Sequence, residues 1–177
     1  MPEARASYTR YPRAILWLVR GDASVASFYL SKLPISNSQF EAFDATFERA
    51  ANSAGDDDPA VNIGHDQALA YCAWYAEVSL KETRLPTEAE WKHACRGGEP
   101  VCGEESIPVL KKTRTNANGL HAMLGGVWEW TGEGVLRGGS YRTPPDDIGR
   151  DAHLEVEPGY RTDDVGFRIA RPLPGSG

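Results

Sequence analysis

The chain has 177 residues, with 19 lysines and arginines against 25 aspartates and glutamates, and a formal net charge of −6. That length suits one domain with a sizeable core. The acidic balance speaks against a nucleic-acid partner held through phosphates and against an anionic membrane surface, and no apolar run is long enough to span a bilayer.

The first residues, Met1 to Arg13, read as an arm rich in Arg, Tyr and Pro, without the basic-then-apolar pattern of a signal sequence. Ala14 to Val19 is an apolar run of strand length, Gly21-Asp22 turns it, and Ala26 to Lys32 alternates as a second strand. The two predict a hairpin. Ser36 then caps a helix with Gln39 as its capping-box partner, and Phe40, Phe43 and Phe47 recur at helical spacing as a buried stripe. Asp56-Asp57-Asp58 lacks the spaced ligands and closing glutamate of a calcium loop, and reads as a solvated turn. A second helix runs from about His65 to Val78, with Ala68, Leu69, Tyr71, Cys72 and Tyr75 on its apolar side.

Thr87 and Glu90 form a complete capping box for a third helix that ends at Gly97-Gly98. His93 on this helix is expected at the surface or rim. Glu99 to Asn118 is irregular, and Asn116 to Leu120 turns the chain inward. Three cysteines, Cys72, Cys95 and Cys102, show no metal-type spacing. They predict reduced thiols in a cytoplasmic protein, with Cys72 and Cys95 as small core residues.

Gly125-Gly126-Val127-Trp128-Glu129-Trp130 is the centre of the pattern. In a strand, Trp128 and Trp130 share one face and form an apolar plate, while Glu129 points the other way. A carboxylate in a central strand needs a cation, a metal or several N–H donors. Arg137 and Arg168 are the candidate cations, and Glu129 is a weak candidate for a metal, with His153 and Asp151 a conceivable pair. The last strand is expected from Val165 to Arg171, closed by Pro172. There is no internal repeat.

Arg84-Leu-Pro-Thr-Glu-Ala-Glu-Trp91, Gly125-Gly-Val-Trp-Glu-Trp130, Leu136-Arg-Gly-Gly-Ser-Tyr141 and Gly166-Phe-Arg-Ile-Ala-Arg171 follow one another in an order that resembles the formylglycine-generating enzyme family, also called sulfatase-modifying factors. The resemblance implies an α+β, C-type-lectin-like fold with short antiparallel strands, about three helices and much irregular structure. It divides the chain into an N-terminal arm and first strand (1–25), a sulfatase-modifying-factor-like domain (26–172) and a tail (173–177). Trp91, Trp128, Glu129, Trp130, Arg137, Gly138, Gly139 and Arg168 are then structural.

The family's oxidases use two cysteines, spaced five apart after the Gly-Gly-Ser-aromatic motif, to bind copper and attack a substrate thiol. Carboxylates near those places, Asp146 and Asp151, cannot supply that chemistry. The family's calcium sites are eroded too, because Ala122 and Gly126 stand where oxygen donors are usual, leaving at most a weak calcium site.

Two functions follow. One is a non-catalytic binding module whose acidic segment, 142–164, recognises a protein partner with a basic surface. Tyr141, Asp146, Asp151, His153, Tyr160 and Asp163 are its binding residues, with no cofactor. The other is an enzyme with altered, metal-dependent oxidative chemistry, built on Asp146, Asp151, His153 or Glu129. It requires those groups to converge in a pocket.

Overall fold

Short elements alternate with long connections, as the 18 glycines and 12 prolines predict. The computed structural model describes residues 11–174, so most of the expected arm and the end of the tail lie outside the described residues. The elements run β1 (Leu16–Val19), β2 (Phe28–Ser31), α1 (Asn37–Glu41), α2 (His65–Ser79), α3 (Glu88–Ala94), β3 (Trp128–Trp130), β4 (Val135–Arg137), β5 (His153–Glu155), β6 (Val165–Phe167) and β7 (Ala170–Pro172). Single 3₁₀ turns lie at Leu110–Lys112 and Pro145–Asp147.

Two sheets result, ordered β1-β2-β7 and β5-β4-β3-β6. The predicted hairpin is β1 against β2, with Leu16 opposite Ser31. Strand pairing is antiparallel except for β3 with β6, which run parallel with Glu129 opposite Gly166. The antiparallel expectation fails there because a long excursion, not a hairpin, returns the chain to β3. The single strand expected from Val165 to Arg171 is likewise two. The chain changes sheets at Arg168 and Ile169, where Ser31 N–H donates to the Ile169 carbonyl at 3.0 Å.

The capping boxes predicted at Ser36 and Thr87 both form. Helix α1, however, is only five residues long. Phe43 and Phe47 lie beyond it, where an Asp44 side chain takes the Thr46 N–H and turns the chain back. The three phenylalanines still meet, with rings 5.4 and 4.8 Å apart, but as a turn folded over a helix end. Helix α2 buries Ala68, Tyr71, Cys72 and Tyr75 as expected, whereas Leu69 is 45% exposed. A residue one step along from Ala68 is rotated about 100° toward solvent.

Helix α3 is anchored at both ends. Glu90 accepts from Arg84 Nη1 and Nη2 at 2.6 and 2.7 Å and from the Thr87 N–H at 2.9 Å. Burial opposes its ionisation most strongly, but the Arg84 guanidinium and the Thr87 amide outweigh it and hold its carboxyl below the ordinary value of 4.5. His93 is buried, contrary to expectation, because Nε2 meets the Arg20 carbonyl at 2.7 Å and Nδ1 lies 3.4 Å from the Asp22 carboxylate. Cys72 and Cys95 are free, buried thiols, as expected. No helix among the described residues is long and apolar enough to cross a membrane.

Two outcomes test this account. A carboxyl held below its ordinary value contributes stability at neutral pH and loses it as pH falls through the folded value. Glu90→Gln is therefore expected to lower stability at pH 7 and to flatten the loss of stability below pH 4.5 in denaturant titrations. At Gly125, φ is +80° and an added Cβ would lie 2.0 Å from the Val101 carbonyl oxygen. Gly125→Ala is expected to cost about 2 kcal/mol or more by chemical denaturation.

Candidate functional site

Strand β3 lies between β4 and β6, so its residues are enclosed by backbone on both sides. Trp130 is 2% exposed and donates from Nε1 to the Ile63 carbonyl at 2.8 Å, while Trp128 packs half-buried against the same cluster. Glu129 faces the other way. Its carboxylate accepts from Trp91 Nε1 at 2.9 Å and from Arg168 Nε at 2.9 and 3.0 Å. Arg168 also donates from Nη1 to the Ser31 and Lys32 carbonyls at 3.0 and 2.8 Å, and from Nη2 to the His121 carbonyl. Burial pushes the Glu129 carboxyl up, against the opposing pull of Arg168 and the Trp91 N–H.

Of the two candidate cations, Arg168 is thus the partner. Arg137 sits directly opposite Glu129 across the β3–β4 ladder, yet its guanidinium goes to Glu88 and to the Asp151 carbonyl. Gly138 follows with φ +98°, and a Cβ there would lie 2.8 Å from the Met123 carbonyl oxygen and 2.9 Å from the Trp91 ring. Gly139 lies beneath Ile148. Trp91, Glu129 and Arg168 meet directly, Trp128 and Trp130 lie on the opposite face of β3, and Arg137, Gly138 and Gly139 follow along and after β4.

The expected binding residues do not form one set. Tyr141 is buried, with its hydroxyl accepting from Asn52 Nδ2 at 3.0 Å and the Arg142 guanidinium 4.8 Å over its ring. It supports residues 142–164 from beneath and presents no surface, because the Gly-Gly turn before it points the ring inward. Asp146 is exposed in the 3₁₀ turn. The Asp151 carboxylate lies 2.5 Å from Lys92 Nζ, and that cation holds it below the usual carboxylate range. His153 begins the exposed strand β5, with Nδ1 2.9 Å from the Asp151 carbonyl. Tyr160 is 36% exposed. Asp163 is paired to both terminal nitrogens of Arg142, which lower its carboxyl.

Sequence reasoning missed Glu88, Lys92 and Arg150. Glu88 and Lys92 stand four apart on one face of α3 and hold Arg137 and Asp151. Arg150 Nε donates to the Lys92 carbonyl near the helix end. The i,i+4 spacing was the available signal.

Asp146, Asp151, His153 and Glu129 do not converge, since Glu129 is sealed inside and the others are separately exposed. Asp146 and Asp151 are exposed carboxylates. Burial pushes the Cys72 and Cys95 thiols up to about 12, so neither is a thiolate at neutral pH. Calcium does not fit Glu129 either, as both its oxygens already accept from Arg168. Among the described residues no three His, Cys, Asp or Glu side chains gather as metal ligands.

Residues 18–105 and 101–173 match the sulfatase-modifying factor enzyme 1-like domain. The chain belongs to the sulfatase-modifying factor family. It is 28% identical over 155 residues to the bovine inactive C-alpha-formylglycine-generating enzyme 2, covering 63% of this chain and 50% of that protein. Against the mouse formylglycine-generating enzyme it is 28% identical over 106 residues, covering 42% of this chain and 27% of that protein. The match thus spans half or less of these relatives' length. Treponema denticola variable protein 1 superposes with a TM-score of 0.74 at 19% identity, covering 90% of this chain and 93% of that one. The α+β, C-type-lectin-like fold of this sulfatase-modifying factor domain is thereby established.

Removing one partner leaves a buried charge alone. Arg168→Met is expected to cost about 3–5 kcal/mol, and the paired change Glu129→Leu with Arg168→Met to recover part of that loss, both read by urea denaturation.

Proposed function

We propose that this sulfatase-modifying factor domain is a non-catalytic binding module that docks a protein partner of basic surface through residues 142–164. The observation that carries the reading is a set of exposed carboxylates on a fixed support. Asp146, Asp147, Glu155 and Glu157 are exposed and have no ion-pair partner among the described residues. The segment bearing them is held by buried Tyr141, by the Arg142–Asp163 pair and by the Arg137 contact to Asp151. Exposed charge on a rigid scaffold suits recognition, and complementary charge raises association rates and selects partners.

The carboxylates near the thiol positions support a role without oxidase chemistry. The bovine relative, which bears the name inactive, is consistent with such a use of the scaffold. No specific observation favours the enzymatic alternative, whose candidate groups lie apart.

The test compares the chain with D146N/D147N/E155Q/E157Q. A lysine-rich peptide is expected to bind the parent and to bind the variant about tenfold more weakly, with parent binding weakening as salt rises from about 50 to 200 mM. Equal binding by both proteins refutes the acidic docking surface. Aerobic turnover of a cysteine-bearing peptide by the purified chain refutes the non-catalytic reading.

A further inference from the structure

A cleft of about 390 Å³ lies between the end of β2, the start of α1 and the His121 turn. Its size falls within the range of small-molecule sites, roughly 300–1,000 Å³. None of its lining residues belongs to segment 142–164. We infer that this cleft binds a small organic anion, a carboxylate or phosphate head carried on an apolar body. The inference is independent of the docking role proposed above.

Charge comes first. In a chain of net charge −6, the cleft gathers Arg13, Lys32 and Lys111 against one carboxylate, Asp57. That carboxylate is already paired with Lys111 at 2.5 Å. Arg13 and Lys32 have no carboxylate partner among the described residues. Their field therefore remains for an anion, and a concave site of one sign raises the local concentration of the opposite one.

Rigidity comes second. The Lys32 and His121 carbonyls are both held from below by Arg168. The His121 N–H donates to the Lys32 carbonyl at 3.0 Å, and the Lys32 N–H to the Ile15 carbonyl at 2.9 Å. The backbones of Lys32 and His121 are thus locked together by the buried ion pair. The Lys32 ammonium is itself placed, 4.4 Å from the Trp17 ring centroid.

Donors and shape come third. His121 Nδ1 lies 2.9 Å from the Thr113 carbonyl, which can only accept, so Nδ1 carries a proton; in the neutral ring Nε2 is an acceptor, and the donors for an anion are those of Lys32, Arg13 and Gln39. Gln39 Oε1 accepts from the Ser36 N–H at 2.9 Å, which leaves the Gln39 amide N–H groups as donors beside the cleft. Ile15, 67% exposed on the cleft wall, supplies an apolar surface that the described residues leave open. A head group near Lys32 and Gln39 with its body along Ile15 meets each of these features.

The experiment titrates the full chain, ¹⁵N-labelled, with phenyl phosphate, with phenylacetate and with neutral benzyl alcohol. Both anions are expected to give saturable shifts at Ile15, Lys32, Gln39 and His121, and the tighter of the two identifies the head group. Lys32→Gln, checked for an intact amide spectrum, is expected to weaken the anion about tenfold, while Lys112→Gln changes nothing. Unsaturated shifts scattered over surface lysines, equal binding of benzyl alcohol, or undiminished affinity in a folded Lys32→Gln chain would overturn the inference.

Discussion

The Glu129–Arg168 pair is the interaction on which the rest of the structure depends. Each ion alone would cost several kcal/mol to bury, and their mutual attraction offsets this only when the remaining hydrogen-bonding capacity is also met. Here it is met by the Trp91 indole on one side and by three backbone carbonyls on the other. Arg168 sits where the chain passes from β6 to β7, so one guanidinium ties the four-stranded sheet to the three-stranded one and to the His121 turn. In a chain with few long elements, such a cross-tie does what helix packing does in a bundle.

Helix α3 carries that order outward. Its inner face gives Trp91 to the buried carboxylate, and its outer face gives Glu88 and Lys92 to Arg137 and Asp151. The segment after Tyr141 is therefore irregular yet supported from below. In the docking role proposed above, a surface assembled this way would need little ordering, which lowers the entropic cost of binding. The same arrangement keeps the segment's acids apart. Those nearest α3 and Arg142 are neutralised by cations, and the outer ones remain open.

The family's scaffold is present here, and residues 142–177 contain no cysteine. Copper chemistry asks for soft donors that are both accessible and deprotonated. The thiols at Cys72 and Cys95 are buried, with raised pKa values, and serve as small packing residues. The glycine turns and the tryptophan strand hold the fold, and neither needs the reactive sulphur.

Sequence alone determined the features that depend on near neighbours. The capping boxes at Ser36 and Thr87, the face of α2 containing Ala68 and Tyr71 and the opposition of Glu129 to its tryptophans follow from spacings of one to four residues, and the β1–β2 hairpin from two apolar runs on either side of a turn. Tertiary structure alone decided which arginine meets Glu129, that Tyr141 and His93 are enclosed, that Phe43 and Phe47 leave the helix, and that the last strand divides between two sheets. The cleft beside Lys32 belongs to this second group as well. The physical reason is that burial and ion pairing are settled by groups brought together from distant parts of the chain. Arg168 lies 39 residues from Glu129 and 137 from Ser31, and no local periodicity encodes such a meeting.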